Sequence, residues 1–77
     1  MIKPGIYNHF KGNTYVVYGT AFHSETKDKL ILYYAYGDPG NSWARPESMF
    51  IERVEWPDGE WHPRFKYVKD NSLKMWW

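Results

Sequence analysis

Seventy-seven residues without cysteine and with a net charge of +1 make one small domain. They exclude disulfides, thiolate metal sites and polyanion binding by bulk charge. The unusual quantity is the aromatic content: seven Tyr, five Trp and four Phe, 21% of the chain. Each large ring removes about 150–250 Å² from water. A domain this short buries little more than half of its unfolded surface, so some rings must lie outside the core and contact something else.

Met1-Ile2-Lys3-Pro4-Gly5 is not the start of a signal peptide. No stretch approaches the roughly 20 apolar residues of a membrane span. The expected location is the cytoplasm, with no membrane partner. Ile6 to Phe10 alternates as a strand, with Tyr7 and His9 on one face and Ile6, Asn8 and Phe10 on the other. Lys11-Gly12-Asn13 is a turn. Thr14 to Phe22 is β-branched and aromatic, the composition of a strand, and Gly19 within it predicts a bulge or bend. His23 to Lys29 reads as a loop, and Lys29 to Tyr36 as a strand apolar on both faces.

Gly37-Asp38-Pro39-Gly40-Asn41-Ser42 has strong turn chemistry. Trp43-Ala44-Arg45 follows as a short strand, with Trp43 and Arg45 on the same face, and Pro46 to Met49 suits a single helical turn. Ile51 to Trp56 and Trp61 to Tyr67 flank Pro57-Asp58-Gly59, a type I turn that lets Trp56 and Trp61 pair across a hairpin. Five or six short strands with tight turns give a mainly β domain, a small antiparallel barrel or roll.

Charge is uneven along this frame. Residues 1–13 carry Lys3 and Lys11 and no acid. Residues 38–59 carry five acids against Arg45 and Arg53, and residues 60–77 carry four bases against Glu60 and Asp70. If the two ends meet, they form one mildly basic face. The three histidines, His9, His23 and His62, match no zinc spacing, so no metal site is expected. His23-Ser24-Glu25-Thr26 places a nucleophile beside a base, but it reads equally as a turn satisfied by Ser24 and Thr26. Trp43 beside Arg45 suits a planar anion, by stacking plus a bidentate contact. The competing reading is a core Trp with an Arg paired to Glu47 or Glu52. Arg64-Phe65 repeats the pairing of a cation with a ring, against a surface ion pair as the alternative. Of Tyr33, Tyr34 and Tyr36, at least one must be exposed.

An ordered series of motifs carries a family resemblance. It runs Pro4-Gly5-Ile6-Tyr7-Asn8-His9-Phe10-Lys11-Gly12-Asn13-Thr14-Tyr15, His23-Ser24-Glu25-Thr26, Tyr33 and Tyr36, Trp43-Ala44-Arg45-Pro46, Met49-Phe50 and Pro63-Arg64-Phe65. Over residues 4–65 the chain resembles a family of small bacterial and phage proteins of unknown function with an SH3-like barrel. The resemblance implies a barrel over residues 1–66 and a tail over 67–77. It implies no activity. It groups Tyr7, His9, His23, Glu25, Thr26, Trp43, Arg45 and Arg64 as a shared signature, to which Tyr33 is added as a stacking group.

The leading expectation is a non-enzymatic module binding a small anionic, aromatic, nucleotide-like ligand, in one version as a sponge for a signalling nucleotide. Tyr7, Tyr33 and Trp43 would stack the base, and Arg45, Arg64 and His9 would hold the phosphate. No cofactor, metal or catalytic residue is expected. A chain this small cannot enclose such a ligand alone, so a homo-oligomer is expected. The tail Leu73-Lys74-Met75-Trp76-Trp77 either closes the barrel, docks on a second subunit or stays unordered. Three alternatives stand beside it: an SH3-like adaptor for peptides or proteins, a single-stranded nucleic-acid binder, and a hydrolase built on His23, Ser24 and Glu25.

Overall fold

The structure is a computed structural model and describes residues 2–70. In chain order the elements are β1 (Gly5–His9), β2 (Thr14–Phe22), β3 (Lys29–Ala35), β4 (Ser42–Pro46), a one-turn helix α1 (Glu47–Phe50), β5 (Arg53–Glu55), β6 (Trp61–Pro63) and β7 (Phe65–Lys69). Five strands form one antiparallel sheet in the order β4-β3-β2-β1-β7, and β5 and β6 form a separate ribbon. The mainly β, antiparallel architecture expected from the strand pattern is what forms.

Local chemistry explains most of these elements. The bulge expected at Gly19 is there, as a register shift between Val17 and Gly19 against β3. In the ribbon turn, the Gly59 N–H donates to the Trp56 carbonyl at 2.8 Å, and Gly59 takes φ +85°. Pro57 and Asp58 are thereby the central residues of the expected turn. The pairing around it differs from expectation. Glu55, not Trp56, lies opposite Trp61. Trp56 turns away, donates its indole N–H to the Pro63 carbonyl at 2.9 Å and packs edge-on against His62.

The expected strand over 61–67 is two strands, because Arg64 crosses from ribbon to sheet. Its N–H donates to the Glu52 carbonyl at 2.7 Å, and its own carbonyl accepts from the Phe10 N–H at 3.2 Å. β7 then pairs with β1 and extends to Lys69, beyond the expected barrel end at residue 66. The ends of the chain do meet, and they bring Lys3 over the Tyr67 ring at 4.1 Å. The Trp76-Trp77 tail lies outside the described residues.

The sheet is curled rather than flat. β3 and β7 are three strand positions apart, about 14 Å on a flat sheet at roughly 4.8 Å per step. Yet the Tyr33 and Phe65 rings are 5.7 Å apart, centre to centre. Side chains stand roughly perpendicular to a sheet, so only curvature brings these two together. The enclosed core is Tyr7, Val17, Ile31, Tyr33, Phe50 and Phe65, with Ile2 and Tyr15 packed at its margin. Phe50 plugs it from α1. Its ring stacks on Phe65 at 4.0 Å and meets Tyr7 and Tyr33 edge-on at 5.6 and 5.7 Å.

Gly5 is where β1 touches the end of β7 most closely. Its φ is +147°, and a Cβ there would lie 2.8 Å from both the Lys69 carbonyl oxygen and the Tyr67 ring. Backbone strain and a backbone clash act together. Gly5→Ala is expected to cost roughly 2 kcal/mol or more, read as a lower urea midpoint. An unchanged midpoint would contradict the close β1–β7 approach.

Candidate functional site

The curl gathers residues far apart in sequence around the Phe65 ring. His9 ends β1 and lies 4.7 Å from Phe65, centre to centre, in an edge-on contact. It also meets Phe10 at 4.8 Å and Tyr15 at 6.0 Å. Arg45 projects from β4 onto the same ring, its guanidinium carbon 5.6 Å from the centroid, and its Nε donates to the Tyr33 hydroxyl at 3.2 Å. Arg64 lies over Phe10 at 5.5 Å and pairs with Glu52 at 2.8 Å. His9 thus stands between two rings, and each of those rings carries a guanidinium.

The electrostatics follow from this placement. Burial, then Arg45, Arg64 and Lys11, hold the His9 pKa below its usual value of 6.5. The imidazole is therefore neutral at pH 7. Its Nδ1 accepts the Lys11 N–H at 3.2 Å, which leaves the proton on Nε2. Among the described residues, the terminal nitrogens of Arg45 have no hydrogen bond or ion pair. Arg64 Nε is buried without a partner. Leaving a buried donor unpaired costs about 1–3 kcal/mol.

The sequence-predicted residues divide into three groups. His9, Tyr33, Arg45 and Arg64 come together. Trp43 lies on β4 opposite Tyr33 and is 58% exposed, so it flanks this group and is not the core Trp of the competing reading. Tyr7 does not line the site. It is 3% exposed, and its hydroxyl donates to the Lys3 carbonyl at 2.6 Å while accepting the Lys3 N–H at 3.2 Å. The Tyr33 ring is also core, 6% exposed, and only its hydroxyl reaches Arg45. Neither ring is available to stack a base.

His23, Glu25 and Thr26 form the β2–β3 turn. His23 Nδ1 accepts the N–H groups of Glu25 and Thr26 at 3.1 and 3.2 Å, and Thr26 Oγ1 accepts the Asp28 N–H at 3.2 Å. Thr26 thus satisfies the turn as expected, and the histidine takes the part expected of Ser24. Among the described residues no hydrogen bond joins the Ser24 hydroxyl to His23 or Glu25. Glu47 pairs with Lys29 at 3.7 Å and Glu52 with Arg64, so neither carboxylate holds Arg45. Phe10 and Tyr15 are site residues that the sequence reading passed over. Alternation places Phe10 on the face opposite His9, and only the turn after β1 brings its ring alongside.

Among the described residues, no group of three or more His, Asp or Glu side chains is placed to hold a metal ion. Two small clefts lie elsewhere, one of about 160 Å³ lined by Tyr18, Tyr34, Pro39 and Ser42, the other of about 190 Å³ beside Lys29 and Glu47. Both are smaller than the roughly 300–1,000 Å³ of typical small-molecule pockets. None of His9, Arg45 and Arg64 lines either of these clefts, and all three are partly exposed.

A family model described as a protein of unknown function, DUF1653, matches residues 5–67. The chain belongs to this family. A crystal structure of a DUF1653 protein from Bordetella bronchiseptica is similar, with 32% sequence identity, a TM-score of 0.77 and 92% of each chain covered. No curated protein matches. The family resemblance carried by the motifs therefore holds, and the matched stretch includes His9, Arg45, Arg64 and Phe65. None of the described helices in this DUF1653 chain is long and apolar enough to cross a membrane.

Proposed function

We propose that this DUF1653 chain is a non-enzymatic binding module of the cytoplasm for a small anionic ligand with a planar body, of nucleotide type. The carrying observation is the convergence of Arg45, Arg64 and His9 on the Phe65–Phe10 pair, with Glu52 the one carboxylate paired there. Guanidinium groups with open donors suit phosphate or carboxylate, by charge-assisted hydrogen bonds that act strongly against a low-dielectric floor. Trp43 supplies the stacking surface beside them, since Tyr7 and Tyr33 are core. One copy offers a shallow face, so a second copy supplies the remaining wall of the site.

A protein-interaction module is the second reading. Phe22, Tyr36, Trp43 and Trp61 are each 58% exposed or more, and large exposed aromatics are typical interface groups. Native mass spectrometry of the purified protein, with calorimetric titration of 5′-AMP, separates the two. Small-ligand binding predicts an oligomer that takes up 5′-AMP. It also predicts that Trp43→Ala weakens uptake about tenfold, the 1–3 kcal/mol of one stacked base, while melting within a few degrees of the native protein. A monomer indifferent to 5′-AMP would favour the protein partner.

A further inference from the structure

Resting on the anion-binding reading, we infer that the site selects a dianionic oxyanion, such as the terminal phosphate of a nucleoside monophosphate, and that His9 takes up a proton when it binds. The charge inventory points to a dianion. Arg45, Arg64 and Lys11 are cationic, Glu52 offsets one of them, and His9 is neutral in the free protein. A monoanion leaves this group with excess positive charge, and a dianion matches it.

The geometry assigns the proton to His9. Facing its imidazole are the Lys11 backbone N–H and side chain from the β1–β2 turn, Tyr15 from β2, Arg45 from β4, and Arg64 with its partner Glu52 from the ribbon junction. Among the described residues no acid touches the ring. The charges that disfavour imidazolium are the same guanidinium groups that would grip the ligand. A bound dianion cancels their repulsion, and one of its oxygens accepting from Nε2–H favours imidazolium directly. The protonation balance then reverses, since an opposite charge within about 4–6 Å favours the charged form. Nε2–H is the donor of the neutral ring, because Nδ1 accepts the Lys11 N–H. The proton is drawn from solvent onto Nδ1, and the Lys11 N–H loses its acceptor as this happens.

The sign is fixed. The His9 midpoint is low in the free protein and higher in the complex. Affinity is therefore greatest below both midpoints and falls as pH rises through the bound-state midpoint. Sulfate is the cleanest probe, because it stays dianionic throughout the range, whereas phosphate has its own second pKa near 6.

The experiment follows the His9 ring signals by NMR from pH 5.5 to 8 in the full chain, with and without saturating sulfate. 5′-AMP and its cyclic, monoanionic counterpart are then compared at pH 7.5, where the 5′-phosphate is dianionic. Sulfate is expected to raise the His9 midpoint by about one pH unit, with sulfate binding roughly tenfold tighter at pH 5.5 than at pH 8. 5′-AMP should bind at least tenfold tighter than the cyclic form. His9→Gln should keep the fold and bind sulfate about tenfold more weakly than the native protein at pH 5.5, with a flat pH profile. If sulfate moves the Arg45 and Arg64 signals while the His9 midpoint stays put, proton uptake is overturned and the anion site stands. If the cyclic form binds as well as 5′-AMP, dianion selection is overturned. If no signal moves with either probe, the anion-binding reading itself fails.

Discussion

Phe50→Ala is expected to bring this protein to the margin of stability at room temperature. Phe50 is 0% exposed and stacks flat on Phe65 at 4.0 Å. It also meets Tyr7 on β1 and Tyr33 on β3, so one ring joins three strands of the curled sheet. Truncating such a ring costs about 3–5 kcal/mol, the lost transfer energy plus the cavity left behind. Whole domains are stable by only about 5–15 kcal/mol, and a chain of this length lies near the lower end. Circular dichroism should show loss of the native melting transition, or a melting temperature lower by about 15 °C or more. Phe50→Leu, which keeps much of the volume, should recover most of it. A Phe50→Ala variant that melts like the native protein would mean that the curl does not depend on this plug.

The second large effect is on binding and leaves the fold alone. Arg45→Ala removes a guanidinium that, among the described residues, hydrogen-bonds Tyr33 through Nε and has no partner at its terminal nitrogens. Stability should change little, because Arg45 is partly exposed on the edge strand β4. Affinity for 5′-AMP or sulfate should fall about 10–100-fold, the 1.5–3 kcal/mol of a charge-assisted hydrogen bond. Arg45→Lys keeps the charge but loses the planar fork, so it should recover only part of the affinity. Calorimetry at fixed pH and salt reads both variants. Collapse of the Arg45→Ala fold would reassign this residue to structure. Unchanged affinity would remove it from the site.

Arg64→Ala is the less clean test. Arg64 joins ribbon to sheet through its backbone and holds Glu52 through its side chain. Its loss would mix stability with binding, which is why Arg45 is the better probe.

Features with a local cause were legible in the chain before it folds. Alternation and β-branched composition drew the strands, Pro57-Asp58-Gly59 drew a turn, and Gly19 marked a bulge, each from a few adjacent residues. An aromatic surplus also followed from composition, because sixteen rings exceed what a 77-residue core can cover. Alternation placed Trp43 and Arg45 on one face of β4, where their partners Tyr33 and Ile31 confirm them. It also put Tyr7 and His9 on one face of β1.

Which positions on a face are sealed and which are open depends on how the sheet folds on itself. Tyr7 sits under Phe50 and is closed, while His9, two residues on, reaches the rim. A period of two carries no such information, because depth depends on how far the sheet curls. Curvature also set the composition of the site. His9, Arg45 and Arg64 lie on three distant parts of the chain, and they meet because β7 returns to pair with β1 while Phe50 pulls β3 toward Phe65. The His23-Ser24-Glu25-Thr26 segment shows the converse. Its residue types suggested chemistry, yet the histidine is spent on two backbone N–H groups of its own turn. A polar side chain answers first to the unpaired backbone donors nearest to it, and the fold determines which of those are left unpaired.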